Sequence, residues 1–164
     1  TDIILSMPLV MVSIVLAAVL GPSKDNIIII FSLMGWSRYA RVLRGEVLRL
    51  SELDFVSLAV IFGCSKKRIM FRHLFPNIVN PLIIMATLQI GFIIIAESIL
   101  SFLGVGVPPP DPAWGSMVAA GKNYISSAWW LSAFPGLAIL LVVLSCNIFG
   151  DWLRLRLDPK FRQL

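Results

Sequence analysis

Long apolar runs separated by short polar stretches dominate the chain, and their lengths predict its elements. The first run, Ile3 to Leu20, has eighteen residues, just enough to cross roughly 30 Å of hydrocarbon as a helix. The second, Ile27 to Trp36, reaches that length only if it continues to Leu43. Runs 78–104 and 128–150 are long enough to span with tilt. The pattern therefore predicts an all-α, polytopic transmembrane helical bundle of about four spans.

The charged end of the second run has helical spacing. Arg38, Arg41 and Arg44 recur at every third position and share one side of a helix. We expect their guanidinium groups to snorkel to one membrane interface, with Trp36 and Tyr39 in the aromatic belt. A helix that simply ends in water explains the same spacing equally well.

The segment 47–77 is the longest polar interruption of the apolar pattern. Residues Ser51 and Asp54 fit a capping box, with Ser51 as N-cap and Asp54 reaching back. Apolar residues follow at helical spacing until Gly63, which is well placed to stop the helix in a left-handed conformation. Ser65 can cap a second helix. The segment is therefore expected to form two short helices, joined by a glycine elbow at the membrane surface.

Two prolines have different expected effects. Pro8 falls in the first turns of the first run, where a proline is tolerated within a helix. Pro76 follows the second helix of the elbow, predicted over residues 66–73, and we expect it to break that helix before the third run begins.

Stiff, proline-rich sequence opens the connection 105–127, and a short helix is expected from Met117 to Tyr124. Four prolines between Pro108 and Pro112 favour an extended entry. Residues 108–114 form either a contact surface for another protein or a stiff cover over the ends of the spans. The sequence does not separate these two interpretations.

The third run carries polar side chains that are expensive in lipid. Glu97 lies about two-thirds of the way across it, and Gln89 lies two turns earlier. A charged side chain within a span usually faces a bundle interior or a wet cavity. Glu97 is therefore either a buried, hydrogen-bonded carboxylate or part of a substrate path, and Gln89 is a candidate for the same path.

Composition supports a membrane protein. The 164 residues are 58% hydrophobic and only 14% charged, with a mean hydropathy of +0.89, whereas soluble domains are about one-quarter charged. The net charge of +5 does not indicate nucleic-acid binding, because the basic residues flank apolar runs and form no separate domain.

Few residues in the sequence are suited to catalysis. His73 is the one histidine, so a multi-histidine metal site is excluded, and Cys64 and Cys146 have no metal-ligand spacing. No serine–histidine–acid set is visible, and a structural role is expected for His73. The phosphate-binding pattern of an ATPase is also missing. We therefore predict a non-enzyme that binds no cofactor or metal directly.

Lysine and arginine counts predict the orientation. Eight of the fourteen fall within residues 38–73 and four within the C-terminal tail 154–162. Only Lys24 and Lys122 lie in the other two connections. By the positive-inside rule, the 47–77 segment and the C-terminus are cytoplasmic, and the 105–127 loop is outside.

Several motifs resemble the permease subunits of binding-protein-dependent ABC importers. Gly63, Ile69 and the run His73 to Asn77 look like their cytoplasmic signature, in which Ser57 replaces the family's glutamate, Leu58 replaces its first alanine, and Ala59 agrees. Further matches resemble the second-permease type of the dipeptide, oligopeptide and nickel branch. They are Gly35-Trp36, Tyr39-Ala40-Arg41, Arg44-Gly45, Ala96-Glu97-Ser98, Leu100 to Gly104, Gly106-Val107, Pro109-Pro110, Trp114-Gly115, Phe134-Pro135-Gly136, Asn147, Gly150-Asp151 and Asp158-Pro159.

The resemblance implies a role for the 47–77 segment. In this family, the corresponding elbow sits in a groove of a cytoplasmic ATPase subunit, which binds ATP and magnesium, and its movement switches the spans between inward- and outward-facing states. The residues that would contact the ATPase are Ser51, Leu53, Asp54, Phe55, Ser57, Leu58, Ala59, Gly63, Ile69, His73 and Pro76. A second permease subunit, an external solute-binding protein and the lipid bilayer are the other implied partners.

The resemblance also implies a bacterial or archaeal plasma membrane and import of peptides or a related small solute. The family has further spans upstream, so we expect this chain to be the C-terminal portion of such a subunit. Spacing alone favours an interfacial amphipathic hairpin over a docking element for the 47–77 segment, and its basic run 66–68 suits anionic lipid headgroups. The alternative function is a truncated membrane assembly protein that retains the fold without transport.

Overall fold

Residues 1–157 form helices and the connections between them. A computed structural model describes residues 1–157; the predicted motif at Asp158-Pro159 and the basic positions Lys160 and Arg162 lie outside the described residues. The helices are α1 (Asp2–Ser6), α2 (Leu9–Leu20), α3 (Lys24–Ser51), α4 (Asp54–Ile61), α5 (Lys66–Arg68), α6 (Phe75–Phe102), α7 (Trp114–Gly121) and α8 (Trp130–Leu157), with a π turn at Ile69–Leu74 and a 3-10 turn at Lys122–Tyr124. The predicted all-α class is confirmed.

Two helices of the described part are long and apolar enough to cross a membrane. One is the continuous, 37-residue helix Lys66–Phe102, made of α5, the π turn and α6, and the other is α8. The apolar helix α2 has only 12 residues, and α3 has 28 residues but does not meet the same standard of length and apolar content. The number of four spans therefore stays a prediction.

The first apolar run is two helices instead of one. Met7, between α1 and α2, has φ −92° and ψ 132°, which is extended backbone. Proline disfavours helical backbone at the residue before it because its ring clashes with that residue. The prediction that Pro8 is tolerated within a helix from Ile3 to Leu20 was wrong, and α2 begins only after Pro8.

Pro76, unlike Pro8, does not interrupt its helix. We expected it to break the second helix of the elbow, but the helix continues through it from α5 into α6. The π turn lies directly before it, and there the Phe75 N–H donates to the Met70 carbonyl, five residues back. This wider turn accommodates the loss of a helical hydrogen bond at Pro76, which has no N–H.

The expected capping box at Ser51 was also wrong. Ser51 is the last residue of α3, and its hydroxyl donates to the Leu48 carbonyl at 2.7 Å. The N-cap of α4 is Leu53, which makes no side-chain capping bond. Asp54 is the first residue of α4, where its carboxylate still suits the positive end of the helix dipole.

Small residues let α6, α7 and α8 pack closely. A Cβ atom added to Gly115 of α7 would lie 2.2 Å from the Ser98 carbonyl oxygen of α6. One added to Gly121 would lie 2.7 Å from the Ser132 backbone nitrogen of α8. Close backbone approach at small residues is a common mode of helix association in membranes. The short helix was predicted from Met117 to Tyr124. In the structure it begins earlier, at Trp114, and it belongs to this packed unit.

A buried cluster joins α3 to α6. Ile27 and Phe31 of α3 pack with Ala96 and Leu100 of α6. Partly buried side chains from α2 and from the loop after α6 cover this cluster; they are Leu9, Val10, Ile14, Val105 and Val107. The cluster fixes the end of α6 that carries Glu97.

Candidate coupling and translocation sites

The elbow predicted at Gly63 is present. Gly63 has φ +73°, its N–H donates to Val60 O at 2.9 Å, and the N–H of Cys64 donates to Ala59 O at 3.0 Å. These two bonds form the Schellman motif that ends helices at a left-handed residue. Ser65 then accepts a hydrogen bond from the Arg68 N–H at 3.3 Å, which confirms it as the predicted cap of the next helix.

A small hydrophobic core holds the two arms of the elbow together. Val56 and Ala59 of α4 are buried with Ile69, the first residue of the π turn. Cys64 and Leu74 pack against this cluster. Because one side of α4 is anchored in this way, the elbow has a defined shape, and its other side is left at the surface.

That outer side is strongly apolar. Leu58 is 51% exposed, Ile61 77% and Phe62 80%, and the three lie at helical spacing next to Gly63. We call them the elbow patch. Leu53 and Phe55, two predicted coupling residues, are also exposed at the start of α4. Sequence reasoning missed Ile61 and Phe62, although apolar residues three and four positions after Leu58 were the available signal.

The other predicted coupling residues lie around this patch or behind it. Asp54 and Ser57 are exposed on α4, whereas Ala59 and Ile69 belong to the core of the elbow. His73 is half-buried in the π turn, and its carbonyl accepts a hydrogen bond from the Asn77 amide at 2.6 Å. The last two, Ser51 and Pro76, are exposed where the segment joins α3 and α6.

An ion pair lies at the start of the segment 47–77. Arg49 and Glu46 are one turn apart on α3, and Arg49 Nε donates to Glu46 Oε2 at 3.1 Å. The hydrogen bond from Arg49, with its positive charge, lowers the pKa of the Glu46 carboxyl below its ordinary value. The pair is therefore charged at neutral pH and helps order the last turns of α3.

Glu97 lines a pocket beneath the 105–127 loop. The pocket has a volume of about 480 Å³, and its lining includes Ile93, Ile94, Glu97, Pro112, Trp114 and Met117. The Ser101 hydroxyl donates to Glu97 Oε1 at 2.5 Å and accepts a hydrogen bond from the Val107 N–H at 3.1 Å. Glu97 is thus both hydrogen-bonded and open to a cavity, so the two interpretations of this residue are compatible.

Gln89 lines a different cavity. This cavity, of about 300 Å³, lies between α1, α2, α3 and α6, and its lining includes Met7, Met34, Arg38, Gln89 and Phe92. Arg38 also lies over the Phe92 ring, 5.8 Å from its centre. The two path candidates are therefore half-buried on the same helix but do not share a pocket.

Acidic, cysteine and histidine side chains are scattered through the described part of the chain. Within residues 1–157, no three of them form a group that could hold a metal ion. The thiols of Cys64 and Cys146 are both free and half-buried.

The sequence is similar to known transport permeases. A putative peptide transport system permease protein of Brucella suis is 41% identical over 161 residues, covering 98% of this chain and 54% of the relative. For a di/tripeptide transport system permease protein of Pseudomonas aeruginosa, the identity is 40% over 161 residues, with 98% and 53% covered. A dipeptide transport system permease protein of Escherichia coli is 41% identical over 162 residues, with 99% and 54% covered.

The chain spans about half the length of these curated relatives. A family model described as the binding-protein-dependent transport system inner membrane component matches residues 1–163. The resemblance found in the motifs is therefore confirmed over almost every residue, and the chain belongs to the family of binding-protein-dependent transport system inner membrane components.

Proposed function

We propose that this chain forms part of the membrane permease of an ATP-driven peptide importer, and that the 47–77 segment docks on a cytoplasmic ATPase subunit. The observation that carries the docking proposal is the elbow patch. An exposed group of large apolar side chains on a well-packed support is typical of a protein interaction site. The peptide substrate is supported by the names of the three relatives.

The rim of the patch is charged, as the edge of a docking surface usually is. Glu52 and Asp54 lie before the patch along the chain, and the exposed run Lys66 to Arg68 lies after it. These groups would pair with charges around an ATPase groove, while Leu58, Ile61 and Phe62 fill it. ATP and magnesium would bind to that partner and not to this chain.

The rest of the topology follows from charge. Four spans in a bacterial or archaeal plasma membrane place the 47–77 segment and the C-terminus in the cytoplasm and the 105–127 loop outside. The loop would then face a solute-binding protein, and exposed apolar helix faces would pack against lipid and a second permease subunit. Shorter spans such as α2 would be completed by thinning of the bilayer or by neighbouring helices.

The test is a pull-down with candidate ATPase subunits. Leu58→Asp places a charge in the centre of the elbow patch and should reduce co-purification at least about tenfold, since a charge buried in an apolar interface without a partner is strongly unfavourable. Ile125→Asp is the matched control, because Ile125 is a similarly exposed side chain, at 60%, in the 105–127 loop. Equal ATPase recovery from both variants contradicts the docking proposal.

Peptide uptake into proteoliposomes separates the transporter from an assembly protein. The complete complex with solute-binding protein should accumulate labelled dipeptide only when ATP is supplied. If the ATPase binds normally and no uptake occurs, the chain retains the fold and serves assembly alone.

A further inference from the structure

We propose that the Glu97 pocket binds the amino-terminal ammonium group of a peptide as it passes through the permease. This inference rests on the proposed function, because it names the part of the cargo that this chain would recognise. It is carried by the side chains that line the pocket and by the way Glu97 is held.

The lining combines one carboxylate with an aromatic ring and aliphatic side chains. Glu97 is the one ionisable side chain that the described residues contribute to this pocket, and Trp114 supplies the indole. An ammonium group binds well to a carboxylate and to the face of a tryptophan ring at the same time. Ile93, Ile94 and Met117 add the apolar surface that an uncharged peptide side chain would contact.

Glu97 has no cation of its own within residues 1–157. The ion pairs of this part of the chain join Arg41 to Asp2 and Arg49 to Glu46. A carboxylate at membrane depth is unfavourable unless a cation or several donors accompany it. Here Ser101 supplies one hydrogen-bond donor to Glu97 Oε1. A ligand ammonium group would supply the cation and the further donors that this carboxylate needs.

Two basic side chains, Arg38 and Lys122, lie against aromatic rings and not against Glu97. Arg38 lies over Phe92 and lines the other cavity, and Lys122 lies over the Phe102 ring, 5.8 Å from its centre. The Glu97 pocket is therefore the negatively charged cavity, and the Gln89 cavity carries a positive side chain. This contrast favours a cationic ligand group at Glu97 and disfavours one at Gln89.

The position of Glu97 is fixed before any ligand arrives. Ser101 is 4% exposed, and its hydroxyl connects Glu97 to the backbone of the loop at Val107. A volume of about 480 Å³ lies within the usual range of small-ligand pockets. It can hold a peptide amino terminus with its first side chain.

The test measures the charge selectivity of the pocket directly. Met117, which lines it and is 50% exposed, is changed to cysteine in the assembled transporter in nanodiscs. Modification by a cationic (trimethylammonium-ethyl) and an anionic (sulfonato-ethyl) methanethiosulfonate is followed at position 117 by peptide mass spectrometry. Tyr124→Cys is the control position, because Tyr124 is similarly exposed, at 55%, but lies outside the pocket.

The expected result is a preference for the cationic reagent at position 117 of at least about fivefold over the preference at position 124, since one nearby charge acts in opposite directions on the two reagents. Glu97→Gln, which keeps an oxygen to accept from Ser101, should remove this excess, and Glu97→Asp should retain it. Trialanine should slow the reaction more than N-acetyl-trialanine does, and Glu97→Gln should abolish the difference.

An unchanged reagent ratio in Glu97→Gln overturns the inference, and so does equal protection, or no protection, by the two peptides. A cation of the second permease subunit that neutralises Glu97 in the assembly gives the same unchanged ratio. That outcome also overturns the inference. No ATP is added, and the measurement reads chemical modification at position 117, so its failure is distinct from a failure of docking or uptake.

Discussion

Gly63 illustrates how a single residue sets the shape of the elbow. Its φ of +73° lies in the left-handed region, which L-amino acids with a Cβ atom adopt at a cost of roughly 1–2 kcal/mol. A Cβ atom added there would meet no heavy atom within 4 Å. Any effect of a small substitution therefore comes from backbone strain and not from a clash.

We expect Gly63→Ala to lower the free energy of unfolding by roughly 1–2 kcal/mol and to weaken ATPase co-purification. Gly45→Ala is the control, because Gly45 lies within α3, is exposed and also has open space around its added Cβ atom. That change should be neutral or stabilise by up to about 1 kcal/mol, as alanine favours helix. Unfolding of both variants in detergent measures the difference, and equal stabilities would mean that the left-handed turn is unimportant.

At the scale of elements, the two prolines explain why helix boundaries were hard to predict. The pattern of apolar residues gave the same expectation on both sides of Pro8, yet the chain is extended at Met7. Before Pro76, a π turn absorbs the missing hydrogen bond. The chain is thus interrupted at Pro8 and continues through Pro76, and no residue type in the sequence reports directly which of the two occurs.

Local signals were reliable where one residue type alone can satisfy the geometry. Gly63 and Ser65 were predicted in their roles because a left-handed stop favours glycine and a cap needs a short side-chain oxygen. The prediction that Ser51 caps a helix was wrong because α3 extends further than its apolar run and includes this serine as its last residue. Glu97 was found as a charge within a span, but its pocket required the loop and α7, which only tertiary packing brings to it.

The contact between α6 and α7 gives a prediction at this scale. Gly115→Ala would put a Cβ atom 2.2 Å from the Ser98 carbonyl oxygen and 2.8 Å from its Cα, so the two helices must separate. We expect destabilisation of about 1–3 kcal/mol, as for other overpacked sites. Gly136→Ala in α8 is the matched control, because its added Cβ atom meets nothing within 4 Å. Thermal unfolding should rank Gly115→Ala below Gly136→Ala, and the reverse order would show that the helices are not in close contact there.

At the scale of the whole molecule, one continuous helix links the two candidate sites. It begins at Lys66, directly after the turn at Gly63 and the cap at Ser65, and ends at Phe102, just over one turn beyond Glu97. The elbow core fixes α4 to the π turn of this helix through Ile69, and the second core fixes its other end to α3 through Ala96 and Leu100. We therefore expect a displacement of the elbow to be passed along this helix to the Glu97 pocket.

A flexible joint introduced into this helix should separate docking from transport. We expect two glycines inserted after Asn77 to leave ATPase co-purification within about twofold, because the elbow patch and its core lie on the far side of the insertion. Peptide uptake should fall by more than about tenfold, since glycines weaken the helix that carries the motion. Uptake and co-purification are measured on the same proteoliposome preparations.

The matched control is the same insertion between Ile125 and Ser126, two exposed loop residues outside the continuous helix. It adds equal length and flexibility, but it leaves the helix from Lys66 to Phe102 intact, so uptake should stay near the unmodified level. The insertion after Asn77 also rotates one half of the helix against the other. An insertion of three alanines and one glycine at that site adds slightly more than one turn, nearly restores the rotational register, and so tests rotation separately. If the glycine insertion after Asn77 transports as well as the control, motion of the elbow reaches the spans by another route, through the contact of α4 with α3.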